Sequence, residues 1–495
     1  MSRILQALTR HARERGDEIA VEGDHEVLSW RRLEEEVGHL VDVMGGVSRL
    51  GLCMDNSPAW LVADLAALSR SVACVPVPAF FSPDQKQHVL KDACLDAVLS
   101  DDPNPADFPG KGWHGREIRL AGRKLTLARR FGQRPPPLPG IFKITYTSGT
   151  TGDPRGVRLG LEAMERVAES LCKLSGANAE DRALALLPLA ILLENIGSLY
   201  VPILAGARML LPSVGSLGLQ GSGGVNPQLL GVSLKRLQPT AMIMPPQLLK
   251  LLMGLAQAGQ LPDSFRFLAV GGAPLPASQV EQARELGLPV YQGYGLSEAV
   301  SVVAMNTPEA SCSSSVGKVL PHCELRISPD GEILVRGALF RGYLHQEDWN
   351  PGDFLPTGDL GYLDPDGFLY VTGRRKNLII NAYGRNLSPE WLEAELLAEP
   401  CLAQGAVFGD GRPWLSAVLV PAPGVGEDAI DQALARINER LPDYARVLDY
   451  VVAREPFTPS NRLATSNGRP RRDAIHEQYR SQLDVLYQGE AVRVL

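Results

Sequence analysis

Several features that would commit a chain to a particular class are missing here. No two cysteines form a C-x-x-C pair, and the cysteine count is odd: Cys53, Cys74, Cys94, Cys172, Cys312, Cys323 and Cys401. That disfavours a disulfide framework or a zinc module and leads us to expect reduced thiols in a cytoplasmic protein. Nowhere is there a run of about 18 apolar residues, so no membrane span is expected. Met1 to Glu14 carries charges among a few apolar residues and lacks the hydrophobic stretch of a secretory signal. A basic surplus is absent too: 49 Lys and Arg stand against 56 Asp and Glu, a net charge of −7. Nucleic-acid binding is therefore not expected.

What is present is ordinary globular composition, 45% hydrophobic and 21% charged, over 495 residues. That length exceeds one core and implies at least two domains. The 49 glycines and 38 prolines are spread along the chain, as in a fold with many tight loops. Residues 1–75 read as helices separated by short strands, with Leu33, Val37, Leu40, Val41 and Met44 at helical spacing. A helix is expected from Ala59 to about Arg70, with Pro58 near its first turn. Strands are expected at 71–77, 97–100, 141–146, 182–187, 208–211, 241–244, 267–270 and 290–291. Their alternation with helices argues for an α/β sheet. The stretch 102–140 reads as an irregular excursion, and Cys323 to Val371 as a small β region. Residues 377–495 read as a small α+β domain with a helix from Pro389 to about Ala398, a helix near Ala429–Arg440 and a charged tail.

The chemistry begins at Thr147-Ser148-Gly149-Thr150-Thr151-Gly152-Asp153-Pro154-Arg155-Gly156-Val157, directly after an apolar strand. Glycines let backbone N–H groups turn toward an anion, and short hydroxyls add donors. Arg155 adds a permanent cation suited to phosphate. The spacing does not fit the G-x-x-x-x-G-K-[ST] loop.

Tyr146 to Val157 resembles the phosphate loop, YTSGTTGxPKGV, of the acyl-adenylate-forming (AMP-binding) superfamily, with fatty acyl-CoA synthetases the closest members. Arg155 stands where that family has Lys. The resemblance covers nearly the whole chain, in the family's order. Gly271-Gly272-Ala273-Pro274 matches the segment lining the adenine pocket. Tyr291-Gln292-Gly293-Tyr294-Gly295-Leu296-Ser297-Glu298 is similar to the YGxTE motif. It implies Tyr294 against adenine, Ser297 on the α-phosphate and Glu298 on a Mg²⁺ ion. Thr357-Gly358-Asp359 resembles the TGD motif, whose Asp meets the ribose, and Arg374 looks like a second ribose contact.

Gly384 lies in a loop that resembles the one used for the thioester step. Arg469 occupies the position of the family's C-terminal Lys, which bridges the carboxylate and the α-phosphate, and no Lys follows Lys376. Leu187 to Asn195 resembles the LPLxHxxE segment of long-chain synthetases, with Ile191 at the His.

The resemblance implies a large N-terminal AMP-binding domain, residues 1–374, made of α/β subdomains plus a small β region. A small mobile C-terminal α+β domain, 375–495, follows. It implies a ligase that uses ATP and Mg²⁺ to convert a carboxylic acid into acyl-AMP and passes the acyl group to coenzyme A. The expected catalytic residues are Thr147, Arg155, Glu298 and Arg469. The expected nucleotide site adds Ser148, Gly149, Thr150, Thr151, Gly152, Gly272, Ala273, Pro274, Gly293, Tyr294, Gly295, Ser297, Asp359, Arg374 and Gly384. An ammonium-bearing substrate would need a buried partner, and apart from Glu194 no charged residue is evident in the apolar runs at 187–205, 241–244 and 300–305. A medium- or long-chain fatty acid is therefore expected. Two other readings stay open: a ligase loading an acyl carrier protein thiol, and a weakened adenylate-binding protein, motivated by Arg469.

Overall fold

The computed structural model describes residues 2–102, 112–130, 135–136, 138–147, 154–220, 224–465 and 468–487. Two large sheets dominate. The first has seven strands, in the order 113–120, 123–130, 97–100, 49–53, 73–76, 141–147 and 155–160. Its centre is parallel, and an antiparallel hairpin closes each edge. The second has nine strands, and its run 208–210, 182–184, 241–244, 267–270 and 290–294 is parallel. Near-continuous apolar strands such as Ala241–Met244 are what a sheet covered on both faces demands.

The helix Pro58–Ser69 shows how local sequence sets this arrangement. Ser57 caps it by accepting from the Trp60 N–H, and Pro58 fills the first turn. Eleven of its residues form an unbroken buried run from Pro58 to Leu68, so it is a core helix and not a surface one. Its one charge, Asp64, lies 2.8 Å from Lys143 of the strand Ile141–Thr147, with both side chains sealed from solvent.

A four-stranded antiparallel sheet, Cys323–Ile327, Glu332–Gly337, Leu355–Leu363 and Leu369–Arg374, follows the second large sheet. After it the apolar packing changes owner. Hydrophobic clusters built from residues up to Leu369 share no buried member with those built from Ile379 onward. The later unit holds the strands Leu402–Phe408, Leu415–Pro421 and Val447–Val452 against three helices, Pro389–Ala398, Glu427–Arg440 and Arg472–Leu486.

Two expectations are corrected. The stretch 102–140 is not irregular throughout: Trp113–Leu120 and Arg123–Arg130 pair as a regular hairpin. Its turn, Ala121-Gly122, has both residues at positive φ (48° and 83°), as a two-residue hairpin turn requires. Charges on the exposed face hid the alternation. The charged tail is likewise a helix, because Ile475, Tyr479 and Leu483 repeat every four residues and are buried.

Candidate active site

Loops that follow strands of the two large sheets meet: Asn56, after 49–53, donates to the Leu187 carbonyl and accepts from the Leu189 N–H, both after 182–184. The phosphate-loop segment leaves Ile141–Thr147 and returns on Arg155–Gly160, with Thr147 and Arg155 directly paired across the hairpin. Ser148, Gly149, Thr150, Thr151 and Gly152, between them, lie outside the described residues. Thr147 is half-buried and Arg155 is exposed, so both cations and hydroxyls at this rim are open to a ligand.

The second sheet contributes the strand ends Val270 and Tyr294. Gly272 follows Val270 with φ of +84°, a backbone open to glycine and strained for other residues. Gly293 is paired with Met305 across an antiparallel bridge, and Gly295 lies so close to the returning chain that a Cβ would fall 1.8 Å from the Ser301 carbonyl oxygen. Only glycine permits that approach. Ser297 to Ala299 then form one tight helical turn, and the chain leaves it through Val300 and Ser301, both at positive φ (52° and 93°). Strain of this kind persists only where surrounding contacts hold it, and here the Phe340 N–H donates to the Glu298 carbonyl at 2.8 Å.

Facing these, the small antiparallel sheet supplies Asp359 and Arg374, directly opposite each other in neighbouring strands. Asp359 is 5% exposed, yet both of its oxygens have partners. Tyr294 donates its hydroxyl to Oδ2 at 2.7 Å, and Arg374 donates Nε to Oδ1 at 2.9 Å. Burial and the Asp359 charge push the Tyr294 phenol well up, so it stays a donor. Three expected nucleotide residues thus form one cluster.

Arg469 arrives from the C-terminal unit and donates to the Gly272 carbonyl. It also lies within the electrostatic reach of Arg374 and Asp359. Ala273 is half-buried and Pro274 exposed, and both continue from Gly272. Gly384 is different. It is exposed, and its N–H closes its own loop on the Asn381 carbonyl at 2.9 Å. No contact among the described residues joins it to the cleft.

Tyr343 was absent from the expected set. Its ring lies 3.7 Å beneath the Arg155 guanidinium, and its hydroxyl donates to Glu298 Oε1 at 2.7 Å. The signal in the sequence was Arg341-Gly342-Tyr343-Leu344, a Gly-Tyr pair after an apolar strand.

One face of the second sheet carries the apolar row Ile243, Ala269 and Tyr291, adjacent residues on three parallel strands. A π-helical turn, Ile196–Tyr200, packs on it so closely that a Cβ on Gly197 would lie 2.3 Å from Ile243 Cδ1. Glu194 does not face a ligand. It is wholly buried, accepts from the Ser198 hydroxyl at 2.7 Å, and burial pushes its pKa up to about 8.

Glu298 is a hard oxygen ligand, and no group of three or more His, Cys, Asp or Glu among the described residues could hold a metal ion by protein atoms alone. That donor set fits Mg²⁺, which favours one or two carboxylates together with substrate phosphates and water.

Strand-end glycines, an Asp–Tyr–Arg cluster and an arginine from the C-terminal unit are thus brought together in an α/β fold with a small second domain. The chain belongs to the AMP-binding enzyme family, whose profile matches residues 8–344, and the profile of that family's C-terminal domain matches 376–491. Among curated relatives, the 2-succinylbenzoate–CoA ligase of Bacillus velezensis is 36% identical over 54% of this chain and 56% of its own length. The corresponding ligase of Bacillus anthracis is 34% identical over 86% of this chain and 90% of its own. A long-chain-fatty-acid–CoA ligase of Mycobacterium tuberculosis is 33% identical over 46% of this chain and 43% of its own length. The chain spans only 56% of the length of the Bacillus velezensis ligase and of its Bacillus subtilis counterpart. Among solved structures, an anthranilate–CoA ligase in complex with anthranoyl-AMP superposes with a TM-score of 0.78 at 18% identity, covering 96% of both chains. The o-succinylbenzoate–CoA synthetase of Bacillus subtilis with ATP and magnesium superposes with a TM-score of 0.74 at 24% identity, over 94% of this chain and 98% of that one. These likenesses establish the large α/β domain followed by a small C-terminal domain.

Proposed function

We propose that this chain is an AMP-forming acid–thiol ligase. It activates a carboxylic acid as acyl-AMP and then transfers the acyl group to the thiol of coenzyme A. The observation that carries this reading is Arg469 of the C-terminal unit lying on the Gly272 rim beside the Asp359–Arg374 cluster. A cation brought from a second domain to the sugar-phosphate end of a nucleotide slot suits a reaction at the α-phosphorus.

In the first step a carboxylate oxygen forms a bond to the α-phosphorus, and the bond from that phosphorus to the β-phosphate oxygen breaks. Pyrophosphate leaves. Thr147 and Arg155 hold the departing phosphates, and Arg469 steadies charge on the α-phosphate and the attacking carboxylate. Chemistry of this type depends on placement and charge more than on covalent help from the protein. Glu298 would hold Mg²⁺, which supplies neutralisation of the phosphate charge. In the second step the thiol attacks the acyl carbon and AMP leaves. The exposed Gly384 loop has no role in the first step. It suits the second, once the C-terminal unit, 375–495, turns about the junction after Arg374.

The acid is proposed to be an apolar monocarboxylate, a medium- or long-chain fatty acid. Ile243, Ala269 and Tyr291 offer no cation for a second carboxylate and no anion for an ammonium. The relatives that act on 2-succinylbenzoate make that dicarboxylate the comparison to beat. A cytoplasmic location suits a chain whose seven cysteines are all free.

The test is ATP–pyrophosphate exchange with straight-chain fatty acids of increasing length, 2-succinylbenzoate and an amino acid. Exchange driven by the fatty acids supports the reading. Exchange driven by 2-succinylbenzoate alone overturns the acid class, and no exchange with any acid overturns the activity.

A further inference from the structure

Arg155 belongs to the first sheet and Glu298 to a turn between two strands of the second. Something must hold a phosphate-directed cation and a metal-directed carboxylate at a fixed separation across that boundary. The segment 340–344 has the contacts to do so. On one side it runs antiparallel to the strand bearing Arg155. Val157 is bridged to Tyr343, the Leu344 N–H donates to the Gly156 carbonyl at 2.7 Å, and the Arg158 N–H donates to the Gly342 carbonyl at 3.0 Å. On the other side the Phe340 N–H donates to the Glu298 carbonyl at 2.8 Å. The ring of Phe340 meets Tyr343 edge-on at 5.2 Å and also packs against Trp349. Backbone pairing to both partners leaves Tyr343 little freedom.

From this seat Tyr343 reaches both charges. Its face carries the Arg155 guanidinium at 3.7 Å, within cation–π range, and its hydroxyl donates to Glu298 Oε1 at 2.7 Å. A carboxylate has room for about four acceptor contacts, so this hydrogen bond leaves the group able to ligate an ion while fixing its direction. Partners behind a ligating carboxylate act in this way in metal sites generally.

We infer that Tyr343 is a positioning residue that aims Glu298 at the metal ion and seats Arg155 for the phosphates, acting through these two residues without touching the reacting atoms. The inference rests on the nucleotide reading of the cleft given above. It divides the side chain into two separable parts: the hydroxyl serves the metal side and the ring serves the phosphate side.

The experiment uses the full chain and ATP, with no acid supplied, so that binding is read apart from turnover. Calorimetric titration of ATP is run in EDTA and then across a MgCl₂ series, on wild type, Tyr343→Phe and Tyr343→Leu. Tyr343→Phe keeps the ring. It is expected to bind ATP in EDTA as wild type does, and to need about tenfold more Mg²⁺ for the same gain in ATP affinity. Tyr343→Leu is expected to show that defect and, in addition, several-fold weaker ATP binding in EDTA. Melting temperatures accompany both variants, and Phe supplies the folded comparison if Leu unfolds. An unchanged or lowered Mg²⁺ requirement in Tyr343→Phe overturns the inference while leaving the nucleotide reading intact. Equal loss with and without Mg²⁺ also overturns it, because that is the mark of general loosening. Failure of wild type to bind ATP under any of these conditions overturns both.

Discussion

Lys143→Met should destabilise the N-terminal domain sharply, and the structure says by how much. Lys143 and Asp64 are 1% and 0% exposed, and Nζ lies 2.8 Å from Asp64 Oδ1. Nζ also donates to Asn195 Oδ1 at 2.5 Å and to the Tyr200 hydroxyl at 3.0 Å, and Tyr200 in turn donates to Asp64 Oδ2 at 2.5 Å. Met fills nearly the same volume, so the cavity contribution is small. What remains is a buried carboxylate with its cation removed and one hydroxyl left to it. Breaking such a pair from one side costs about 3–5 kcal/mol. With a urea m-value of about 3 kcal/mol/M, the midpoint falls by about 1–1.7 M. Fluorescence reads the event, because Trp60 is buried with Lys143 Nζ 5.5 Å from its ring. Adding Asp64→Leu to Lys143→Met removes both charges and should restore most of the loss. A single variant whose midpoint moves by less than about 0.3 M, or a double variant as damaged as the single, would refute the reasoning.

Glu194 gives a pH signature. Burial raises its folded-state pKa from the ordinary 4.5 to about 8, so its contribution is fully present below pH 4.5 and is lost as pH rises through 8. Glu194→Gln should therefore flatten the fall in melting temperature between pH 5 and 8; an unchanged slope contradicts the assignment. Lys250 donates to the carbonyls of Leu397, Glu399 and Leu402, at 2.9, 2.8 and 3.4 Å, and so ties the N-terminal domain to the end of a C-terminal helix. Lys250→Met should slow acyl-AMP formation about fivefold, the worth of roughly 1 kcal/mol of hydrogen bonding, and leave thiol transfer from supplied acyl-AMP unchanged. Gly295→Ala would put a methyl into the Ser301 carbonyl, and loss of ATP binding in calorimetry should accompany a lowered melting temperature.

Much of this arrangement was legible in the sequence because it is written locally. Ala97–Ser100, Ala241–Met244, Phe267–Val270 and the helix Pro389–Ala398 were bounded by their own apolar runs and caps. The motifs around Tyr294, Asp359 and Arg374 could be read singly, and the fold brings them into one cluster. What escaped was set by partners distant in the chain. The hairpin at 113–130 carries its charges on an exposed edge, so its alternation resembled a polar loop. Glu194 is the one charged residue in the apolar run 187–205, and only packing shows that it is sealed with Ser198. Tyr343 needed two sheets in place before its contacts with Arg155 and Glu298 existed at all.

The central claim is attack by the acid's own oxygen on the α-phosphorus, and oxygen tracing tests it most directly. A fatty acid labelled with ¹⁸O in its carboxylate is turned over with ATP and coenzyme A, and the products are weighed by mass spectrometry. The account predicts one ¹⁸O in AMP, none in pyrophosphate and an acyl thioester that keeps the other. Label in orthophosphate with release of ADP, or AMP free of label, would contradict it.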